Sequence, residues 1–238
     1  MNEFEFDKRL QTPFFMIVTG RSGSGKTRWI QRLCEEQQQL LNTPAAQIFW
    51  CYGVEQPTFH ATLCSSIPNL VLNRGFSADY YNSSPVLTDG NHPVLLILDD
   101  LHTELANQSI LGELFTKFSH HNNTSVIFTT QNFYHQGSQS RDVSRNAHYI
   151  VLLTQPRDQT VVRSIAKQMF PKQSACLYSQ QFFPTSAYML AAYSDATSSP
   201  FGYLLVDAKP FTAPHLRLRT GIFDSEQDTV YTPSVSPR

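Results

Sequence analysis

The sequence predicts an α/β fold with a mainly parallel central sheet and helices on both faces. Three observations carry that prediction. Gly20-Arg21-Ser22-Gly23-Ser24-Gly25-Lys26-Thr27 satisfies G-x-x-x-x-G-K-[ST] and stands between a short apolar run and a helix-forming stretch. Pro93 to Asp100 is an apolar run that ends in two adjacent carboxylates. A third run, Thr124 to Thr130, is followed at once by Gln131. Continuous apolar runs of this length read as strands buried on both faces, as parallel strands are.

Taken in order, Phe14 to Val18 is the first strand, and the loop follows it. Arg28 to Leu41 reads as a helix, with Ile30, Leu33, Leu40 and Leu41 as its apolar positions. Ala46 to Tyr52 is a second strand, ended by Gly53. Residues 54–92 hold Pro57, Pro68, Pro85, Gly75 and Gly90 and no sustained period. A short helix at 57–65 and a short strand at Leu70 to Leu72 are the elements predicted there. After the acidic strand, His102 to His120 repeats apolar residues at helical spacing, among them Leu105, Leu111 and Phe118. Ala147 to Leu153 is another strand, and Thr160 to Phe170 an amphipathic helix ended by Pro171. Ser174 to Ala192 reads as a helical region interrupted near Pro184. Phe201 to Asp207 reads as a strand paired with residues 216–223, where Leu216-Arg217-Leu218-Arg219 alternates with its arginines on one face. One domain is predicted over 1–223. The polar stretch 224–238 is expected to be a disordered tail.

Composition narrows the function. The chain has 238 residues, 41% of them hydrophobic, enough for a sizeable core. Only 16% are charged, against an average of about 25%. With a net charge of −1, attraction to a nucleic acid would need a local basic surface. No apolar run approaches the ~20 residues of a membrane span, and the acidic N-terminus does not read as a signal peptide. The expectation is a soluble intracellular protein, or a soluble component of a particle. The four cysteines form no C-x-x-C pair and read as free thiols. Cys51, His60 and Cys64 lack an evident fourth ligand, so core cysteines are favoured over a zinc site.

The motifs point to phosphate chemistry. Gly23 and Gly25 let the backbone curl around an anion with its N–H groups inward, and the following helix N-terminus adds positive charge. The nucleotide-binding stretch runs from Gly20 through Arg28. Lys26 can reach the β- and γ-phosphates of ATP, and the Thr27 hydroxyl can ligate Mg²⁺. Asp99, at the carboxyl end of its strand, fits the second protein ligand of that ion. Asp100 then faces the attacking water as general base. By itself, an Asp-Asp pair is also a common helix cap. Gln131 fits a sensor that touches both γ-phosphate and water, acting by orientation; a strand-capping turn residue is its plainer reading. The loop from Asn132 to Asn146 carries Arg141 and Arg145, either of which fits an arginine finger or a surface arginine.

Together these motifs describe a P-loop NTPase of the additional-strand type. FFMIVTGRSGSGKTRWIQRL, VLLILDDLH, VIFTTQNFYHQGSQSRDVSRNAHYIVLL, QPRDQTVVRSIAKQMFP and GYLLVDAKP go further. They resemble the HerA/FtsK-type genome-packaging ATPases, in the poxvirus-like branch found in large DNA viruses, Polinton/Maverick elements and adintovirus-like viruses. The resemblance runs from about residue 13 to about residue 222. It implies a homo-oligomeric ring, hexameric or pentameric, that hydrolyses ATP to drive double-stranded DNA into a capsid, with capsid proteins as further partners. Arg141 and Arg145 fall on the pattern R-x-x-x-R/N-x-h-Y, which implies that one is a finger acting on a neighbouring subunit. Two departures stand out. Asp100 occupies the position where many of these ATPases carry Glu, and no added DNA-binding domain is evident. Two other classes fit the phosphate loop: a nucleotide switch or scaffold with little turnover, and a small-molecule kinase. The paired acids and Gln131 suit water as the nucleophile better than a bound acceptor.

Overall fold

The computed structural model describes residues 7–101, 123–131, 146–155, 159–170 and 186–232. They fall into two compact units. The first takes the chain up to Phe15 and Thr27–Phe128, and the second takes Met16–Lys26 and the chain from Thr129 on. Each unit brings helices to its own strands.

In the first unit, β2 (Gln47–Tyr52), β3 (Leu70–Arg74), β4 (Val94–Asp99) and β5 (Thr124–Thr130) run in the order β3-β2-β4-β5, every pair parallel. All six residues of β4 are buried, so this strand is covered on both faces. That explains its unbroken apolar run. Its register sets Val94 beside Gln47 and Asp99 beside Tyr52, at the carboxyl end of both strands. Helix α1 (Lys26–Glu35) buries Trp29, Ile30, Leu33 and Cys34, a single stripe at helical spacing. The sequence predicts one helix to Leu41. The chain instead breaks at Glu36 and resumes as α2 (Gln37–Leu40). The Gln37 side chain is drawn in to accept from the Ala45 backbone N–H at 2.8 Å.

The proline-rich stretch 54–92 is more regular than its sequence suggests. Helix α3 (Pro57–Ser66) and β3 appear where a short helix and strand are predicted. Two short helices follow, α4 (Ala78–Ser83) and α5 (Pro85–Thr88). Ser77 caps α4 by accepting from the Tyr80 N–H at 3.1 Å, and Pro85 opens α5 with its fixed φ. Cys34 and Cys51 are buried free thiols, whereas Cys64 is exposed and not the core cysteine expected. Burial pushes Cys34 upward and Cys51 up to about 12. Among the described residues no group of three metal-ligating side chains forms.

In the second unit, β1 (Phe15–Thr19), β6 (Tyr149–Leu153), β7 (Tyr203–Asp207), β8 (Leu218–Thr220) and β9 (Thr229–Tyr231) run in that order. β1 and β6 are parallel, and the last three strands are added antiparallel. Helix α6 (Thr160–Met169) buries Val161, Val162, Ile165 and Ala166. Helix α7 (Ser186–Ala196) continues past the predicted end at Ala192 and buries Met189, Tyr193 and Ala196. The predicted β7–β8 pairing forms, and Arg219 is buried. The tail expectation is corrected up to Tyr231. β9 pairs with β8, and Tyr231 is held at both ends: its carbonyl accepts from the Tyr188 hydroxyl at 2.6 Å, and its own hydroxyl donates to Asp195 at 2.7 Å. The helix predicted at 102–120 lies outside the described residues. Among the described residues no helix is long and apolar enough to cross a membrane.

Candidate functional site

β1 is fully buried, and the chain leaves it at Gly20 to form the glycine-rich loop before α1. Gly23 and Gly25 adopt positive φ, 76° and 97°, a conformation that a side chain would strain. These two residues turn the backbone so that α1 begins at Lys26. The Lys26 amino group donates to the carbonyls of Gly20 at 2.9 Å and Arg21 at 3.0 Å, which sets its charge against the start of the loop. Arg21, Ser22, Gly23 and Arg28 are exposed, while Ser24 and Gly25 are half-buried. Thr19 Oγ1 and Ser24 Oγ are buried and have no hydrogen-bond partner among the described residues.

Thr27 and Asp99 are 72 positions apart and meet directly. The Thr27 hydroxyl donates to Asp99 Oδ2 at 3.1 Å. Asp99 is 8% exposed, a carboxylate at the end of an otherwise apolar strand. Two hard oxygen donors, one of them anionic, are a donor set that suits Mg²⁺, which keeps most of its other positions for water and phosphate. Asp100 has a different environment. It stands one residue beyond β4, exposed, with φ at 55°. Its carbonyl packs on Gly53, just past the end of β2: a Cβ on Gly53 would come within 2.8 Å of that oxygen. The Gly53 N–H donates to the Asp99 carbonyl at 3.3 Å. The turn carrying both acids is thus fitted against a residue with no side chain. Nothing in the sequence marked Gly53 as more than a strand end.

Gln131 follows β5 directly and is exposed. Its neighbour Thr130, which like Gly20 belongs to the second unit, accepts from the Gly20 N–H at 3.3 Å, so the last residues of β5 are tied to the first residue of the loop. The geometry therefore brings Thr27 to Asp99 and the Gln131 strand end to Gly20. Arg141 and Arg145 lie outside the described residues.

A second wall of the site is absent from the sequence reading. After α7 the chain turns through Thr197-Ser198-Ser199-Pro200-Phe201 and, with Thr154 beyond β6 and the loop residues Arg21 to Ser24, encloses an open cleft of about 470 Å³. That volume is within the usual range for small-molecule sites.

No family model matches the chain. A stretch of 145 residues is 30% identical to DNA packaging protein OPG160 of Monkeypox virus. The match takes in 56% of this chain and 46% of that protein, so the chain spans about half the length of the curated relative it matches. Among solved structures, the fold is similar to the genome packaging NTPase B204 from Sulfolobus turreted icosahedral virus 2 in complex with ATP-gammaS. The TM-score is 0.53 at 12% identity, over 93% of this chain and 98% of that one. It is also similar to B204, the DNA-packaging ATPase from Sulfolobus turreted icosahedral virus, with a TM-score of 0.52 at 11% identity over 95% and 100%. The chain therefore has the α/β fold, with its mostly parallel sheet, that the sequence predicts. The resemblance read from its residues is to the same kind of viral packaging protein.

Proposed function

We propose that this chain is a HerA/FtsK-type viral packaging ATPase that binds ATP with Mg²⁺ and couples hydrolysis to the movement of double-stranded DNA into a capsid. The observation that carries the nucleotide half of the reading is the 3.1 Å bond to the buried Asp99 from Thr27, the last residue of a complete phosphate-loop motif. The likeness to viral packaging proteins supports the DNA half.

Each residue then has a task. The backbone N–H groups of the loop from Gly20 to Thr27 cradle the phosphates, and Lys26 neutralises charge on the β- and γ-phosphates. Thr27 and Asp99 hold Mg²⁺, which draws charge from the phosphate oxygens when bound. Asp100 takes the proton of the attacking water, and Gln131 orients that water. Arg141 or Arg145 serves a neighbouring subunit's site in a ring. DNA is gripped where assembly gathers local cations, since the chain's own net charge is −1. The protein acts inside the host cell, at or near the assembling particle.

The test is turnover by the purified chain with and without double-stranded DNA. The expected result is ATP hydrolysis that rises with DNA and is abolished by Lys26→Ala while the variant stays folded. Turnover unaffected by Lys26→Ala would overturn the loop's role. Nucleotide binding with no turnover, with or without DNA, would point to a switch and not a motor.

A further inference from the structure

We infer that the cleft between the phosphate loop and the turn at 197–201 receives the nucleoside half of the nucleotide, with the Phe201 ring lying against the base. This rests on the reading of the loop as a nucleotide site and adds where the rest of the ligand goes.

Phe201 is held in a conformation that costs free energy. Pro200 and Phe201 are the two central residues of a turn closed by the Gly202 N–H donating to the Ser199 carbonyl at 3.0 Å. Proline at the first central position and positive φ at the second are the marks of a type II turn, where the second position is normally glycine or asparagine. Here it is phenylalanine at φ 62°. A bulky side chain in the left-handed region is an outlier, and such outliers gather at ligand sites. The ring gains little burial in return, since Phe201 is 59% exposed. It reaches over the phosphate loop: a Cβ on Gly25 would meet Phe201 Cδ1 at 2.9 Å.

The turn is built rigidly. The Thr197 and Ser198 N–H groups donate to the carbonyls of Tyr193 and Asp195 on α7, each at 3.0 Å. The Thr154 hydroxyl donates to the Gly202 carbonyl at 3.4 Å, tying the end of β6 to the turn. The result is an aromatic face held beside a phosphate cradle, with Ser22, Ser198 and Ser199 lining the same cleft. An aromatic face takes the flat surface of a base, and hydroxyls take the sugar and base-edge atoms as donors or acceptors.

The experiment titrates the purified chain with ATP-gammaS and, separately, with inorganic tripolyphosphate, by calorimetry. Phe201→Ala should weaken ATP-gammaS about tenfold and leave tripolyphosphate unchanged, because only the first ligand has a base to stack. Phe201→Trp should restore much of the lost affinity. Phe201→Gly separates structure from binding. It relieves the backbone, so its melting midpoint should rise, yet it should lose ATP-gammaS affinity as Phe201→Ala does. Wild-type affinity in Phe201→Ala, or parallel loss of both ligands, would overturn the inference, the second because the ring would then only prop the loop. If the wild-type chain binds neither ligand, the nucleotide reading itself fails and the cleft's role falls with it.

Discussion

Asp99 and Asp100 are adjacent and chemically identical, and the fold gives them separate surroundings. Asp99 is buried and accepts a hydrogen bond from Thr27, while Asp100 is exposed on a left-handed turn. Their amide variants should therefore fail differently. Asp99→Asn should weaken Mg²⁺-dependent binding of ATP-gammaS, since a neutral amide is a poor ligand for a hard cation. Asp100→Asn should bind nearly as wild type and turn over roughly 100-fold more slowly, losing only the proton acceptor. Asp100→Glu should keep activity, since the acid remains at an open position. Affinity and turnover measured on the same preparations decide this. Equal loss of affinity in both amides would remove the division of roles.

At the scale of elements, legibility followed the source of stability. β1, β4, β5 and β6 are buried along their whole length; β1, β4 and β6 are written almost wholly in apolar residues, β5 has Val126-Ile127-Phe128 between buried threonines and a serine, and each could be read. Thr27 and Asp99 were legible for a related reason, because loop and acid each stand at the end of such a strand. β9 could not be read. Thr229-Val230-Tyr231 has no apolar run, and it is ordered by pairing with β8 and by tyrosine hydroxyls near the two ends of α7. The two short helices α4 and α5 depend in the same way on one cap and one proline. Phe201 was misread as the start of a strand, because a phenylalanine at a glycine position gives no turn signal. The β9 correction has a measurable consequence. Truncation after Phe223 removes β9 and the Glu226 carboxylate that accepts from the Tyr203 hydroxyl at 2.8 Å. Urea unfolding should then show a loss of about 2 kcal/mol, the scale of a few lost hydrogen bonds with some burial. An unchanged midpoint would mean that this stretch adds nothing to the fold.

The whole molecule has a net charge of −1, so the proposed grip on DNA needs cations gathered locally by assembly. An arginine supplied by a neighbouring subunit stabilises charge on the transferring phosphoryl group and contributes about 10³-fold or more in rate. Of the two proposed fingers we favour Arg145, which is nearer in sequence to β6 than Arg141. Arg145→Ala should bind ATP normally and hydrolyse it poorly. Mixed with Lys26→Ala protein, it should regain part of the activity, because some interfaces then pair an intact loop with an intact finger. Mixed rings seen by electron microscopy but silent in turnover would show that Arg145 does not act across an interface.

The burial of Cys34 on α1 and Cys51 on β2, beside the exposed Cys64, makes the chain its own clock. A thiol reagent captures thiolate, and burial withholds it from both inner sulphurs. Cys64 is open to the reagent, whereas Cys34 and Cys51 are reached only while their elements are parted from their neighbours. Read peptide by peptide, the ratio of the Cys34 rate to the Cys64 rate gives the fraction of time that the helix beginning at Lys26 is out of its place, without a residue changed.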